Sequence, residues 1–167
     1  MYPIQYRIER LSKPIKKGDK MPQLGKQSQE KLDTCHIDLQ LICKEVIKNI
    51  DYSITEGART DAKQMQYFKE GKSKLDGVTK KSKHQVTKEE PLSKAVDVAP
   101  YPIDYSNKAK SLARFYHLAG YFFQASAKLL EEGKISHKIR WGGNWDGDFD
   151  FADNTFDDLP HFELHAV

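Results

Sequence analysis

Between Ser106 and Gly133 the apolar residues Ala109, Leu112, Ala113, Tyr116, Ala119, Phe122, Phe123, Ala127 and Leu130 recur at helical spacing. A helix with so broad an apolar face has to lie at the centre of a core. Ser106 is its expected N-cap, and Gly133 marks its end. A second stripe, Leu32, Cys35, Leu39, Ile42, Cys43, Val46, Ile47 and Ile50, predicts one helix running on from Gln29. A third, shorter helix is expected after Thr60, carried by Ala62, Met65 and Phe68 and stopped by Gly71.

The other apolar segments are too short for helices and read as strands: Tyr52 to Thr55, Ala95 to Ala99 before Pro100 and Pro102, Ile139 to Gly143, and His161 to His165. Helices mixed with a few short strands predict an α+β fold around one core. A chain of 167 residues buries roughly 70% of its unfolded surface, so one domain suffices. Residues 1–26, with three prolines and no sustained period, read as an irregular N-terminal arm, and residues 27–167 as the domain proper.

Several function classes are disfavoured at once. No apolar run approaches the ~18 residues of a membrane span, and the N-terminus lacks the apolar centre of a signal peptide. The sequence gives no evidence for export through a signal peptide. The net charge of +3, with Lys and Arg interspersed among Asp and Glu, is too mild to indicate nucleic acid. It would equally suit an anionic polymer. Cys35 and Cys43, eight apart in a helical pattern, stand roughly 12 Å apart along the axis and cannot bridge. They read as small core residues of a reduced protein.

A polar stretch from Lys72 to Pro91 is too long and too hydrophilic for a core element, yet it contains His84. Six histidines occur, and His36, His117 and His137 read as ordinary helix or turn residues. A catalytic zinc needs three His or carboxylate ligands and one open position for water. His84, Asp97 and His161 meet that requirement in type, though spacing alone is a weak signal. The run Asp146, Asp148, Asp150, Asp153 has neither the spacing nor the final glutamate of a calcium loop and reads as a solvated loop.

Six words stand in one order along residues 24 to 167: Leu24-Gly25-Lys26-Gln27-Ser28, Thr55-Glu56-Gly57-Ala58-Arg59-Thr60, Ser82-Lys83-His84, Ala95-Val96-Asp97-Val98-Ala99-Pro100, Arg140-Trp141-Gly142-Gly143 and Asp158-Leu159-Pro160-His161-Phe162-Glu163-Leu164. In these the sequence resembles the zinc D-alanyl-D-alanine carboxypeptidases and dipeptidases. It is more similar still to their phage-endolysin branch, the L-alanyl-D-glutamate endopeptidases. The resemblance implies helices packed on a small antiparallel sheet bearing a zinc site, the fold also seen in hedgehog-type domains. It implies Zn2+ as cofactor, peptidoglycan stem peptides as substrate, a monomer without nucleic-acid partners, and synthesis in a bacterial host's cytoplasm with action on the cell wall after release.

Position by position, the resemblance makes His84, Asp97 and His161 the zinc ligands, Asp158 the carboxylate that activates water, and Arg59 the group that stabilises the polarised carbonyl. Ser82 and Gln66 match positions on the substrate side or in support behind the ligands, and Trp141 with Gly142 and Gly143 matches the cleft wall. Glu163 falls on the strand face of His161 and can support that ligand or touch substrate. His165 shares the face as an alternative ligand.

One departure stands out. The family places its first histidine and its aspartate seven apart, with a glycine between, whereas His84 and Asp97 are thirteen apart and Ser93 holds the glycine position. Val86 to Leu92 are therefore expected to form an inserted surface turn, cheap because loop-closure entropy grows slowly with length. Two alternatives stay open: a D,D-carboxypeptidase or dipeptidase cutting between D-alanines, and a non-catalytic zinc-binding module.

Overall fold

The computed structural model describes residues 22–106 and 108–166. The expected arm therefore lies, up to residue 21, outside the described residues. The fold is α+β: helices α1 (Lys26–Leu32), α2 (Ile37–Val46), α3 (Asp61–Lys69) and α4 (Ala109–Glu131), and strands β1 (Tyr52–Glu56), β2 (Ala95–Pro100), β3 (Lys138–Gly142) and β4 (Asp158–His165). The strands form one antiparallel sheet in the order β1-β2-β4-β3. Among the described residues no helix is long and apolar enough to cross a membrane.

Helix α4 crosses one face of the sheet, and α2 packs against α4. Phe122 of α4 stacks on Phe162 of β4 with ring centroids 4.3 Å apart, and Tyr52 of β1 meets Phe122 edge-on. Leu39, Ile42, Val46, Val96, Val98, Leu118 and Leu164 complete the same buried cluster. Emptying the Phe122 position would cost about 3–5 kcal/mol, the usual range for a buried aromatic cut to Ala. With α2 and α4 covering that face, period-2 alternation leaves Asp97, His161, Glu163 and Arg140 for the other.

The long α4 is where the sequence put it, but its register differs. Its buried face is Ser111, Phe115, Leu118, Ala119, Phe122, Ala125, Ser126 and Leu129, while Ala109, Ala113 and Ala127 are exposed. Lys108, not Ser106, is the N-cap. The Ser106 hydroxyl lies 3.0 Å from that of Ser111, so it closes the turn before the helix rather than capping it.

The helix expected to run on from Gln29 is two helices. At the break, Ser93 N donates to Thr34 O and His36 N donates to Ser93 O, a strand-like pairing that takes Cys35 out of the helical path. His36 then caps α2, its Nδ1 accepting from Asp38 N. Cys35 and Cys43 are buried free thiols, both pushed up to about 12 by burial and so unreactive. In α3 the expected apolar face is absent: Met65 and Phe68 are exposed and the buried residue is Gln64.

Candidate active site

Two loop segments lock His84 in place before any strand is involved. Arg59 N donates to His84 O at 2.8 Å, and His84 Nδ1 donates to Gly57 O at 2.8 Å. A side chain on Gly57 would meet Lys31 O at 2.3 Å, so only glycine brings that carbonyl close enough. Ser82 sharpens the turn, its Oγ accepting from His84 N. The insertion leaves this undisturbed. Residues 86–92 run outward, Thr87 N donates to Glu90 O, and Lys94 N returns to Lys83 O at 2.9 Å. Ser93, fully buried, takes the place of a glycine by turning its hydroxyl onto Ala95 O.

The sheet supplies the other two groups. Asp97 of β2 and His161 of β4 are direct cross-strand partners, and Ala95, Glu163 and Arg140 form the neighbouring row. Three atoms converge: His84 Nε2 is 3.1 Å from Asp97 Oδ1 and 3.2 Å from His161 Nδ1, and His161 Nδ1 is 3.0 Å from Asp97 Oδ1. Donors held 2.0–2.1 Å from one tetrahedral ion stand about 3.3 Å from each other, so the triangle has the size a metal needs. The remaining ring nitrogens agree. His84 Nδ1 is committed to Gly57 O and His161 Nε2 donates to Glu163 Oε2 at 3.2 Å, which leaves His84 Nε2 and His161 Nδ1 as the inward-facing nitrogens. His84, Asp97 and His161 can hold a metal ion.

Charge is arranged to match. Burial raises the Asp97 carboxyl, but His84 and His161 outweigh it and hold the group well below the ordinary carboxylate range. Burial alone would lower His161, yet its bonds to Asp97 and Glu163 raise it to about 9. Asp158 behaves oppositely: burial and the Asp97 charge raise it. It opens β4 opposite Gly142, at an irregularity in register. A Cβ on Gly142 would come within 2.3 Å of Asp158 O, so the glycine permits this placement.

Arg59 is buried and braced by Gln64 Oε1 at 2.7 Å and Glu56 Oε2 at 2.5 Å, with Asp97 Oδ2 at 3.8 Å and its Nε without a partner among the described residues. All five residues line one cleft of about 550 Å3, together with Ser82, Arg140, Trp145 and Glu163.

Three expectations need correcting. Gln66 is exposed and bonded to Glu70 one turn on, outside the cleft; the amide that meets Arg59 is Gln64, two residues earlier in α3. Trp141 is a core residue, fully buried against Phe162 with Nε1 donating to Leu159 O, and the aromatic that lines the cleft is Trp145. Trp145 lies 5.6 Å from the His161 ring, under the Arg140 guanidinium. His165 is exposed and turned to Ala166 O, away from the metal ligands. Glu56 stood inside a quoted word, so its three-residue spacing to Arg59 was a usable signal. Gln64 and Trp145 had none.

Two further clusters have structural explanations. Asp38 Oδ2 accepts from Ser136 N and Oγ and from His137 N and Nδ1, tying the entry of β3 to the start of α2. Asp146, Asp148 and Asp150 each accept a backbone N–H two residues on, a staircase of exposed turns.

The family model of the phage L-alanyl-D-glutamate peptidases matches residues 21–165. The chain belongs to that family. Its fold is similar to the crystal structure of the L-Ala D-Glu endopeptidase ChiX of Serratia marcescens, with a TM-score of 0.60 and 23% identity over 91% of this chain and 96% of that one. No curated protein matches. As an L-alanyl-D-glutamate peptidase, this enzyme acts on the stem peptides of peptidoglycan, and the two alternatives left open by the sequence give way to that activity.

Proposed function

We propose that this peptidase is a zinc enzyme in which His84, Asp97 and His161 hold the ion, Asp158 is the general base and Arg59 binds the developing oxyanion. One observation carries the reading: two inward-facing imidazole nitrogens and one carboxylate oxygen meet within 3.0–3.2 Å beside a carboxylate of raised pKa. Nitrogen and oxygen donors of this kind suit zinc. Bound there, zinc would polarise the L-alanyl carbonyl and lower the pKa of an adjacent water to about 7.

The chain's own residues do the rest. Asp158, ionised, takes a proton from the water whose oxygen adds to the L-alanyl carbonyl carbon. Its raised pKa makes it a better base than an ordinary carboxylate and a usable acid afterwards. It returns the proton to the D-glutamyl nitrogen as the C–N bond breaks, and the second water proton passes from the new carboxyl group to the freed amine, giving a carboxylate and an ammonium. Arg59, fixed by Glu56 and Gln64, offers charge-assisted N–H bonds to the oxygen that gains charge. Ser82 supports the His84 turn from the cleft side. One chain supplies every group, so we also propose a monomer.

The test is release of new amino termini from peptidoglycan by purified protein, with and without chelator, followed by zinc add-back. Cleavage between L-alanine and D-glutamate, lost on chelation and restored by zinc, is expected. Full activity in the stripped protein would overturn the metal assignment.

A further inference from the structure

The cleft is lined by six cations, Arg59, Lys72, Lys74, Lys81, Lys83 and Arg140. Three already have carboxylates: Arg59 with Glu56, Arg140 with Glu163, and Lys72 with Glu70. Among the described residues Lys74, Lys81 and Lys83 make no salt bridge, and all three are exposed. Lys74 Nζ sits 4.2 Å over the Phe156 ring, which also lines the cleft, a contact that leaves its charge without a carboxylate. Of the cleft's own acids, Asp97 is engaged by the two histidines and Glu56 and Glu163 by arginines, which leaves Asp158 without a salt bridge among the described residues. The cleft lining therefore holds three lysines free of salt bridges among the described residues, with the exposed Glu89 and Glu90 the acids nearest Lys81 and Lys83.

The substrate supplies the complement, given the activity proposed above, on which this inference rests. A D-glutamyl residue enters the peptide through its amine and continues it through one of two carboxyl groups. The other carboxyl is then a free anion within one residue of the scissile bond. Salt-bridge partners at a rim steer and orient, and they discriminate against a neutral analogue of the same shape.

We infer that Lys81 and Lys83, with Lys74 of the same cleft, recognise the free carboxylate of the D-glutamyl residue and set a preference for non-amidated over amidated stem peptides. None of the three belongs to the His84, Asp97 and His161 set, so they serve as binding groups rather than reactants. The selectivity is electrostatic, so it acts through KM and weakens as salt rises.

The experiment compares two synthetic L-alanyl-D-glutamyl peptides, identical except that the D-glutamyl carboxylate is free in one and amidated in the other, at low ionic strength with zinc-loaded enzyme. The expected kcat/KM ratio favours the free acid by about tenfold or more, carried by KM. In Lys81→Gln/Lys83→Gln the ratio should fall to about twofold, and in Lys81→Glu/Lys83→Glu it should invert. Both positions are exposed, so both variants should keep the wild-type unfolding temperature. Equal cleavage of the two peptides by wild type, or an undiminished preference in both variants, would overturn this inference while leaving the peptidase reading intact. Cleavage of neither peptide would overturn that reading and this inference with it.

Discussion

Asp97 and His161 are cross-strand partners on neighbouring strands, and Asp97 Oδ1 lies 3.0 Å from His161 Nδ1. Two of the three side chains that can hold a metal ion are thus held by the hydrogen-bonded sheet itself. The third, His84, comes from a loop, but bonds at its own carbonyl and at its ring leave it little freedom. Such a site is organised before a metal arrives, as precise catalytic geometry requires.

Asp158 should separate catalysis from metal binding. Asp158→Asn keeps size and removes the base, so the fold and the zinc should be retained while kcat falls about 10²- to 10⁴-fold. His161→Ala should lose both metal and activity. Kinetics alongside metal analysis of the two variants checks this, and near wild-type turnover by Asp158→Asn would move the base elsewhere, with Glu163 next to test.

Metal affinity should depend on pH through His161. In the metal-free protein its proton is held up to about 9 by Asp97 and Glu163, against the lowering effect of burial. A ligating nitrogen has to give up that proton. Affinity should therefore climb about tenfold per pH unit below about 9 and level off above it. The sign for metal-free stability is the reverse. The charged pair contributes fully below about 6.5 and is lost as pH rises through about 9. Competition titrations against a chelator of known affinity, and thermal unfolding of the stripped protein between pH 6 and 9, measure both. Flat affinity over that range would remove His161 from the ligand set.

Glu163→Gln should weaken metal binding without abolishing it. Burial raises the Glu163 carboxyl, but His161 and Arg140 bring it down to about 2, so it is a charged acceptor at every working pH. Loss of such a hydrogen bond behind a ligating histidine typically costs about 10- to 100-fold in affinity. Metal dissociation constants for wild type and variant decide this, and unchanged affinity would show that the His161–Glu163 bond has no influence on the metal.

Asp38→Ala should destabilise the fold and spare the site. Its buried Oδ2 satisfies four donors from Ser136 and His137, and their loss should cost roughly 2–3 kcal/mol. Burial raises this carboxyl, but the bonds from His137 and Ser136 win and lower it. Its contribution is present above the unfolded value near 3.8 and disappears as pH falls through the lowered one. Unfolding of the variant at pH 7, with zinc stoichiometry unchanged, is the check.

Much of this was legible along the chain. Local periodicity placed α4 and the four strands, because burial of one face imposes a period of 3.6 or 2 whatever lies opposite. The words around His84, Asp97, Asp158 and His161 named the groups that the fold brings together. Tertiary contacts decided what lies outside such local rules. The Thr34–His36 segment leaves the helix because Ser93 pairs with it. Gln64 is buried where Met65 and Phe68 were expected, because Arg59 and the carbonyl of Leu75 both bond to its amide.

The sequence by itself determined which residue types could bind a metal and which segments would be helix or strand, since both follow from side-chain chemistry and spacing. Only the tertiary structure decided that Trp145 and not Trp141 lines the cleft, that Gln64 and not Gln66 holds Arg59, and that three lysines face it unpaired. These depend on which side of a strand, turn or helix meets a partner far away in the chain. One residue of register exchanges core for cleft.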